Sequence, residues 1–156
     1  MKDLSETMTD YIACVKTLHD WFHSAHIVAK GKSFAGDHIH IYGRIYEELG
    51  EQLDKTFEKI LGLSNDEDIV CPTYVAHRVA DKMQTIPTTA NKDGLMLASI
   101  GLQLIMSHLR NTDLFFKVLE ENKILSLGMN DFLSAHCNQL EGYVYLLQQR
   151  VKENLR

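Results

Sequence analysis

The stretch from Leu18 to Ile60 reads LHDWFHSAHIVAKGKSFAGDHIHIYGRIYEELGEQLDKTFEKI, and its spacing decides the fold. Ahead of Gly31, His19, His23 and His26 stand at i, i+4 and i+7, which places three imidazoles on one ribbon of a helix. Beyond it, Asp54 and Glu58 stand at i and i+4, so two carboxylates share a face of a second helix. Imidazoles and carboxylates on facing helices are how all-helical bundles hold iron or manganese. With 8 His among 156 residues, the same ribbon is also what a solvated helix face looks like.

Working outward, the first helix is expected over about Leu4 to Lys30. Leu4, Met8, Tyr11, Val15, Leu18, Phe22, Ala25 and Ala29 recur at three- and four-residue steps and make one apolar stripe. The three histidines fall on its flank. Gly31 and KSFAG break the helix, and Asp37 is placed to cap the next, which runs to about Leu61 and closes at Gly62. Its inward stripe is His38, Tyr42, Ile45, Tyr46, Leu49, Leu53, Phe57 and Ile60. Glu47, Glu51, Asp54 and Glu58 form an acidic ribbon off that stripe, so their use as ligands requires a partner surface.

A polar connection, Ser64 to Asp68, leads to a short helix from Pro72 to about Gln84, with Pro72 suited to the first turn. Thr85 to Asn91 is a loop. Long helices are expected over about Lys92 to Asn122 and Asp131 to Asn154. The chain therefore reads as all-α and as one domain, residues 1–156: four long helices, with a short extra helix in the long connection between the second and third. That connection permits a crossover from one end of the bundle to the other, as in ferritin-like folds.

Composition narrows the function classes. The hydrophobic fraction of 45% and charged fraction of 24% are those of a soluble globular protein able to bury a core without disulfides. A net charge of −5, with no lysine-rich tail, argues against nucleic-acid binding. No apolar run of ~18 residues and no signal pattern is present, so a cytoplasmic location without membrane association is expected. Cys14, Cys71 and Cys137 are scattered and read as thiols of a reducing compartment. No Gly-rich phosphate loop is present and no Ser/His/Asp order can be defended. His136 sits in an apolar stripe, and it and His108 read as core histidines; Tyr143 and Tyr145 read as core aromatics near Trp21, and His77 as solvent-facing.

The segment His26 to Ile60 resembles the ferritin-like Dps proteins (DNA-binding proteins from starved cells). The matching positions are His26, Lys30–Gly31, Phe34, His38, Asp54 and Glu58, and the later VLEENKIL with its leucine-rich final helix is also similar. The resemblance implies a homo-oligomer, a closed cage built from two-fold dimers. It also implies a non-haem iron centre between subunits, with histidines from one and the Asp/Glu pair from the other. There the protein would act as a ferroxidase, storing iron and protecting against oxidative stress. By carry-over, His26, His38, Asp54 and Glu58 are the ligands, and His19 and His23 could rebuild a site of different composition.

The chain departs from the pattern at three places. The family's acidic residue four positions after its second histidine is here Tyr42. The distance from His38 to Asp54 is one residue longer, leaving open whether His38, His40 or neither is the second histidine. Ile27 replaces the family's tryptophan after the first histidine. These departures motivate a second expectation, a catalytically silent ferritin-like oligomer that binds a protein or a small anionic ligand. Arg44, Lys30 and the histidines would then face the anion.

Overall fold

A computed structural model of the chain describes residues 3–152. Every regular element among them is helical: α1 Leu4–Val28, a π-helical stretch Gly36–Gly43, α2 Arg44–Ser64, a 3-10 turn Glu67–Val70, α3 Pro72–Met83, α4 Gly94–Glu121 and α5 Leu127–Lys152. Local chemistry sets most of the boundaries. Asp3 and Asp93 cap α1 and α4 by accepting from the backbone N–H of Ser5 and Met96, and Pro72 opens α3.

Three boundaries differ from the sequence expectation. α2 runs past Gly62 because Asn65 adopts the left-handed conformation (φ 51°) and returns its N–H to the Leu61 carbonyl. α5 begins at Leu127, ahead of Asp131, because Ser126 Oγ accepts from the Met129 N–H and Gly128 is carried within the first turn. Asp37 does not cap a helix. It lies inside the π-helical stretch, 1% exposed, and both its oxygens accept from Arg150 of α5 at 2.7 and 3.1 Å. A carboxylate this deeply buried is tolerable only because the guanidinium fork meets it bidentately.

The side-chain contacts fix the helix directions. His26 meets His38 and His19 lies against Gly50, so α1 and α2 are antiparallel. Tyr11 bonds Thr112, while Tyr42 at the other end donates to the Gly94 carbonyl, so α4 is antiparallel to α1 and starts beside the π-helical stretch. α2 and α4 therefore run the same way. The segment between them must return the full length of the molecule, and it does so along α1. Thr9 donates to the Ile69 carbonyl, Arg78 to Asp10 and Trp21 Nε1 to the Pro87 carbonyl, and Ser24 bonds Thr89. α5 then returns antiparallel to α4, bringing Tyr143 to Glu48 and Arg150 to Asp37.

The apolar interior has two halves. One gathers Trp21, Phe22, Tyr42, Leu49, Leu97 and Leu140 from α1, the π-helical stretch, α2, α4 and α5. The other gathers Tyr11, Ile12, Ile60, Val75, Phe115 and Leu133 at the opposite end. Burying each large side chain such as Phe22 or Leu49 is worth about 1.5–3 kcal/mol. His108 lies between Ile105 of the first half and Phe115 of the second on α4, and His136 between Leu140 and Leu133 on α5. No helix among the described residues is long and apolar enough to cross a membrane.

Candidate functional site

The end of α1 and the π-helical stretch bring two of the sequence-selected histidines face to face. The His26 and His38 rings stack with centroids 3.8 Å apart and planes 14° from parallel. His26 Nδ1 lies 2.7 Å from the His38 carbonyl oxygen, and His38 Nδ1 lies 2.8 Å from the His26 carbonyl oxygen. A carbonyl only accepts, so each Nδ1 carries a proton, and the tautomer this selects places the ring's lone pair on Nε2. Anchoring one ring nitrogen to backbone is how a protein orients an imidazole for metal binding at the other.

The local backbone makes this approach possible. In the π-helical stretch the Arg44 N–H reaches the Ile39 carbonyl, an i→i+5 bond that takes up one residue more per turn than an α-helix. Gly43 lies under the pair: a Cβ there would stand 2.5 Å from the His38 oxygen and 3.0 Å from His26 Nδ1, so only glycine lets the chain pass so close. Phe34 stacks on the outer side of His38 at 4.9 Å, and Tyr46 lies 5.0 Å from His26. His40, the other candidate for the second histidine, is exposed on the same stretch.

His23 and His19 continue the ribbon. His23 is exposed, with its ring 4.7 Å from Tyr46. His19 Nδ1 is 3.0 Å from Asp20 Oδ1, and its Nε2 edge faces Gly50. Burial works to raise the Asp20 carboxyl, but hydrogen bonds from His19 and Lys16 outweigh it and hold it below the usual carboxylate range. Asp20 therefore stays ionised and accepts from the His19 Nδ1–H, and that bond leaves His19 Nε2 unused.

Asp54 and Glu58 are exposed on α2. At ~1.5 Å per residue they lie about 12 and 18 Å along the helix from Tyr46, away from the histidines. Among the described residues, no three His, Cys, Asp or Glu side chains of the single chain converge as a metal site. Each half of the expected donor set is present, and one chain does not bring the halves together.

Several other readings change. Arg44, offered as an anion contact, donates to Glu48 Oε1 at 2.9 Å, and Glu48 Oε2 accepts from Tyr143 at 2.6 Å. Burial acts to raise the Glu48 carboxyl, but Tyr143 and Arg44 prevail and keep it low. Tyr145, read as core, is 62% exposed, because it lies one residue past the inward position held by Val144 and two past Tyr143. None of the cysteines is in a disulfide, and the Cys137 thiol is pushed up by burial and by Glu141 and Asp113, which disfavours nucleophilic use.

The sequence reading treated His108 and His136 as separate core residues. They form one pair, Nε2 to Nε2 at 3.0 Å, with 3% and 1% exposure, and neither Nδ1 has a hydrogen-bond partner. Burial, then the neighbouring His136, pushes His108 down to about 3. Burial pushes His136 down to about 4, with Gln139 partly offsetting it. The only signal for the pair in the sequence was a histidine within the apolar spacing of each of two successive helices.

No family model and no curated protein matches this chain.

Proposed function

We propose that the protein is a ferritin-like, Dps-like homo-oligomer that binds ferrous iron at sites shared between two subunits and oxidises it with peroxide as the electron acceptor, two ferrous ions giving one electron each to a peroxide that takes two protons and leaves as two waters. The observation that carries this reading is the His26–His38 pair, two rings held by reciprocal Nδ1–backbone bonds with their Nε2 lone pairs left over. Asp54 and Glu58, exposed and outside the ion pairs found among the described residues, are the carboxylates a second copy would bring. Iron is the substrate, and a mixed nitrogen and carboxylate set suits the ferrous ion, while the carboxylate charge favours the more highly charged product. The crossover between the parallel α2 and α4 supports the ferritin-like reading. The extra residue between His38 and Asp54 is accommodated by the π-helical stretch, which supports His38 as the second histidine.

The complementation of two single variants tests the shared site. His26→Ala and Asp54→Ala oligomers should each lose rapid ferrous oxidation. Mixed oligomers of the two should regain part of it, since one of the two sites in a mixed dimer joins unaltered His26 to unaltered Asp54. Full activity in both single variants, or no recovery on mixing, overturns the proposal.

One observation favours the second reading, a ferritin-like oligomer acting as a binding module. The position where the Dps pattern carries an acid is Tyr42, which is fully buried with its hydroxyl given to the Gly94 carbonyl. It supplies no ligand. A protein that assembles but neither binds nor oxidises iron would establish that reading. Engagement of Arg44 by Glu48 then points to a protein ligand rather than a small anion.

A further inference from the structure

A second site lies away from these histidines, between α1, α3 and α4. There a cavity of about 230 Å³ is lined by Thr17, Lys82, Thr85, Ser107, His108 and Asn111 among others. It exceeds the cavity volume, on the order of 150 Å³, that accommodates a benzene-sized guest. Two polar atoms belonging to its lining are buried and have no hydrogen-bond partner among the described residues: Thr17 Oγ1 and His108 Nδ1. Their residues are 7% and 3% exposed. A buried polar group without a partner costs about 1–3 kcal/mol, so two on one cavity call for an occupant, water or a ligand, that satisfies them.

The cavity is graded from floor to mouth. Thr17 and His108 are buried, Lys82 is half-buried and Thr85 is exposed. Leu18, Ile86 and Leu104 contribute apolar lining. Lys82 is the one charged residue of the lining. It stands 3.7 Å from Asp10, which Arg78 meets more closely at 3.1 Å, and its ammonium has three donors to distribute.

We propose that this cavity binds a small aliphatic hydroxycarboxylate, carboxylate at Lys82 and hydroxyl at the floor. The hydroxyl is specified by the histidine pair. If His108 Nε2 donates to His136, then His108 Nδ1 accepts; if the bond runs the other way, Nδ1 donates. A hydroxyl can meet either arrangement while exchanging its other bond with Thr17, whose own hydroxyl is equally two-sided. A second carboxylate at the floor would meet no cation there, and a purely apolar tail would leave both atoms unpaired. This site shares no residue with the proposed iron centre, so the two stand or fall separately.

The probe is 4-hydroxybutyrate added to the intact protein, followed by the imidazole nitrogen resonances of His108. Butyrate lacks the hydroxyl and 4-hydroxybutyramide lacks the charge. Saturable shifts are expected with the hydroxycarboxylate, with affinity roughly tenfold weaker for either analogue. Thr17→Val and Lys82→Met should each weaken 4-hydroxybutyrate by a similar factor. Thr17→Val deletes a partnerless hydroxyl and keeps the side-chain shape, so its fold is checked by thermal unfolding alone. No saturable shift, meaning that water alone fills the cavity, overturns the proposal. So does equal binding of all three compounds, or binding unchanged in both variants.

Discussion

His26 and His38 pair at the surface, each Nδ1 bonded to the other's backbone, whereas His108 and His136 pair Nε2 to Nε2 inside the core. The chemical groups are identical, and what differs is which nitrogen the fold consumes. In the outer pair the carbonyls accept from the Nδ1–H groups and leave the Nε2 nitrogens free to act. In the inner pair the outward nitrogens are spent on each other, and burial keeps both rings uncharged. A histidine's capacity for chemistry is thus decided less by its spacing in sequence than by the acceptor that reaches its inner nitrogen.

The largest expected effect concerns the inner pair. Both rings have folded-state pKa values, about 3 and about 4, below the ordinary 6.5. Between these values the unfolded chain binds more protons than the folded one, so stability is full above about pH 6.5 and is lost as pH falls. Across pH 6.5 to 4 the two rings together should remove about 5 kcal/mol. Urea unfolding over that range should show a much shallower pH slope in a His108→Leu, His136→Leu double variant, since no proton remains to be refused. An unchanged slope would mean that the pair is not held neutral.

Next in size is the clamp under the outer pair. Arg150→Ala strands the buried Asp37 carboxylate and should cost about 4 kcal/mol in chemical denaturation. It should raise hydrogen exchange in the π-helical stretch while amides around His108 keep their relative protection. Equal loosening of both regions would show that the two pairs are not mechanically separate. Gly43→Ala places a methyl against the His38 carbonyl and the His26 ring. It should cost about 1–3 kcal/mol and shift the Nδ1 proton resonances of His26 and His38, leaving the inner pair unmoved. Smallest of all, His23→Ala on the exposed ribbon should change stability by no more than about 0.5 kcal/mol. Any loss of iron oxidation in that variant would then report on the site, not on folding.

The helices were legible because apolar spacing is a local signal. Met8, Tyr11, Val15, Leu18 and Phe22 are buried as their steps along α1 require, and Asp54 and Glu58 are exposed as their offset from the α2 stripe requires. What escaped the sequence reading depends on distant partners. Asp37 looks like a helix cap because its neighbours suggest one, but its actual partner is Arg150, 113 residues on. The π-helical turn carries that anchor and ends at Gly43, and neither spacing nor composition encodes it. The inner pair arises only once α4 and α5 lie antiparallel, which brings His108 opposite His136. Of the candidate site, its histidine half could be read from the sequence, while the carboxylates proposed to complete it stand apart from the histidines in the single chain.

The Asp37–Arg150 clamp also has an order in time. A chain made from its N-terminus releases α1 and α2 early, and these can form an antiparallel hairpin at once. Asp37 has nothing to hold it until the last turns of α5 have left the ribosome. During synthesis the segment bearing His38 is therefore unanchored, and its ring has no fixed place beside His26. The nascent protein would be able to pack much of its core before the two histidines are set face to face. On the proposed function, iron met on the way out would find the histidines but no assembled site until α5 had emerged.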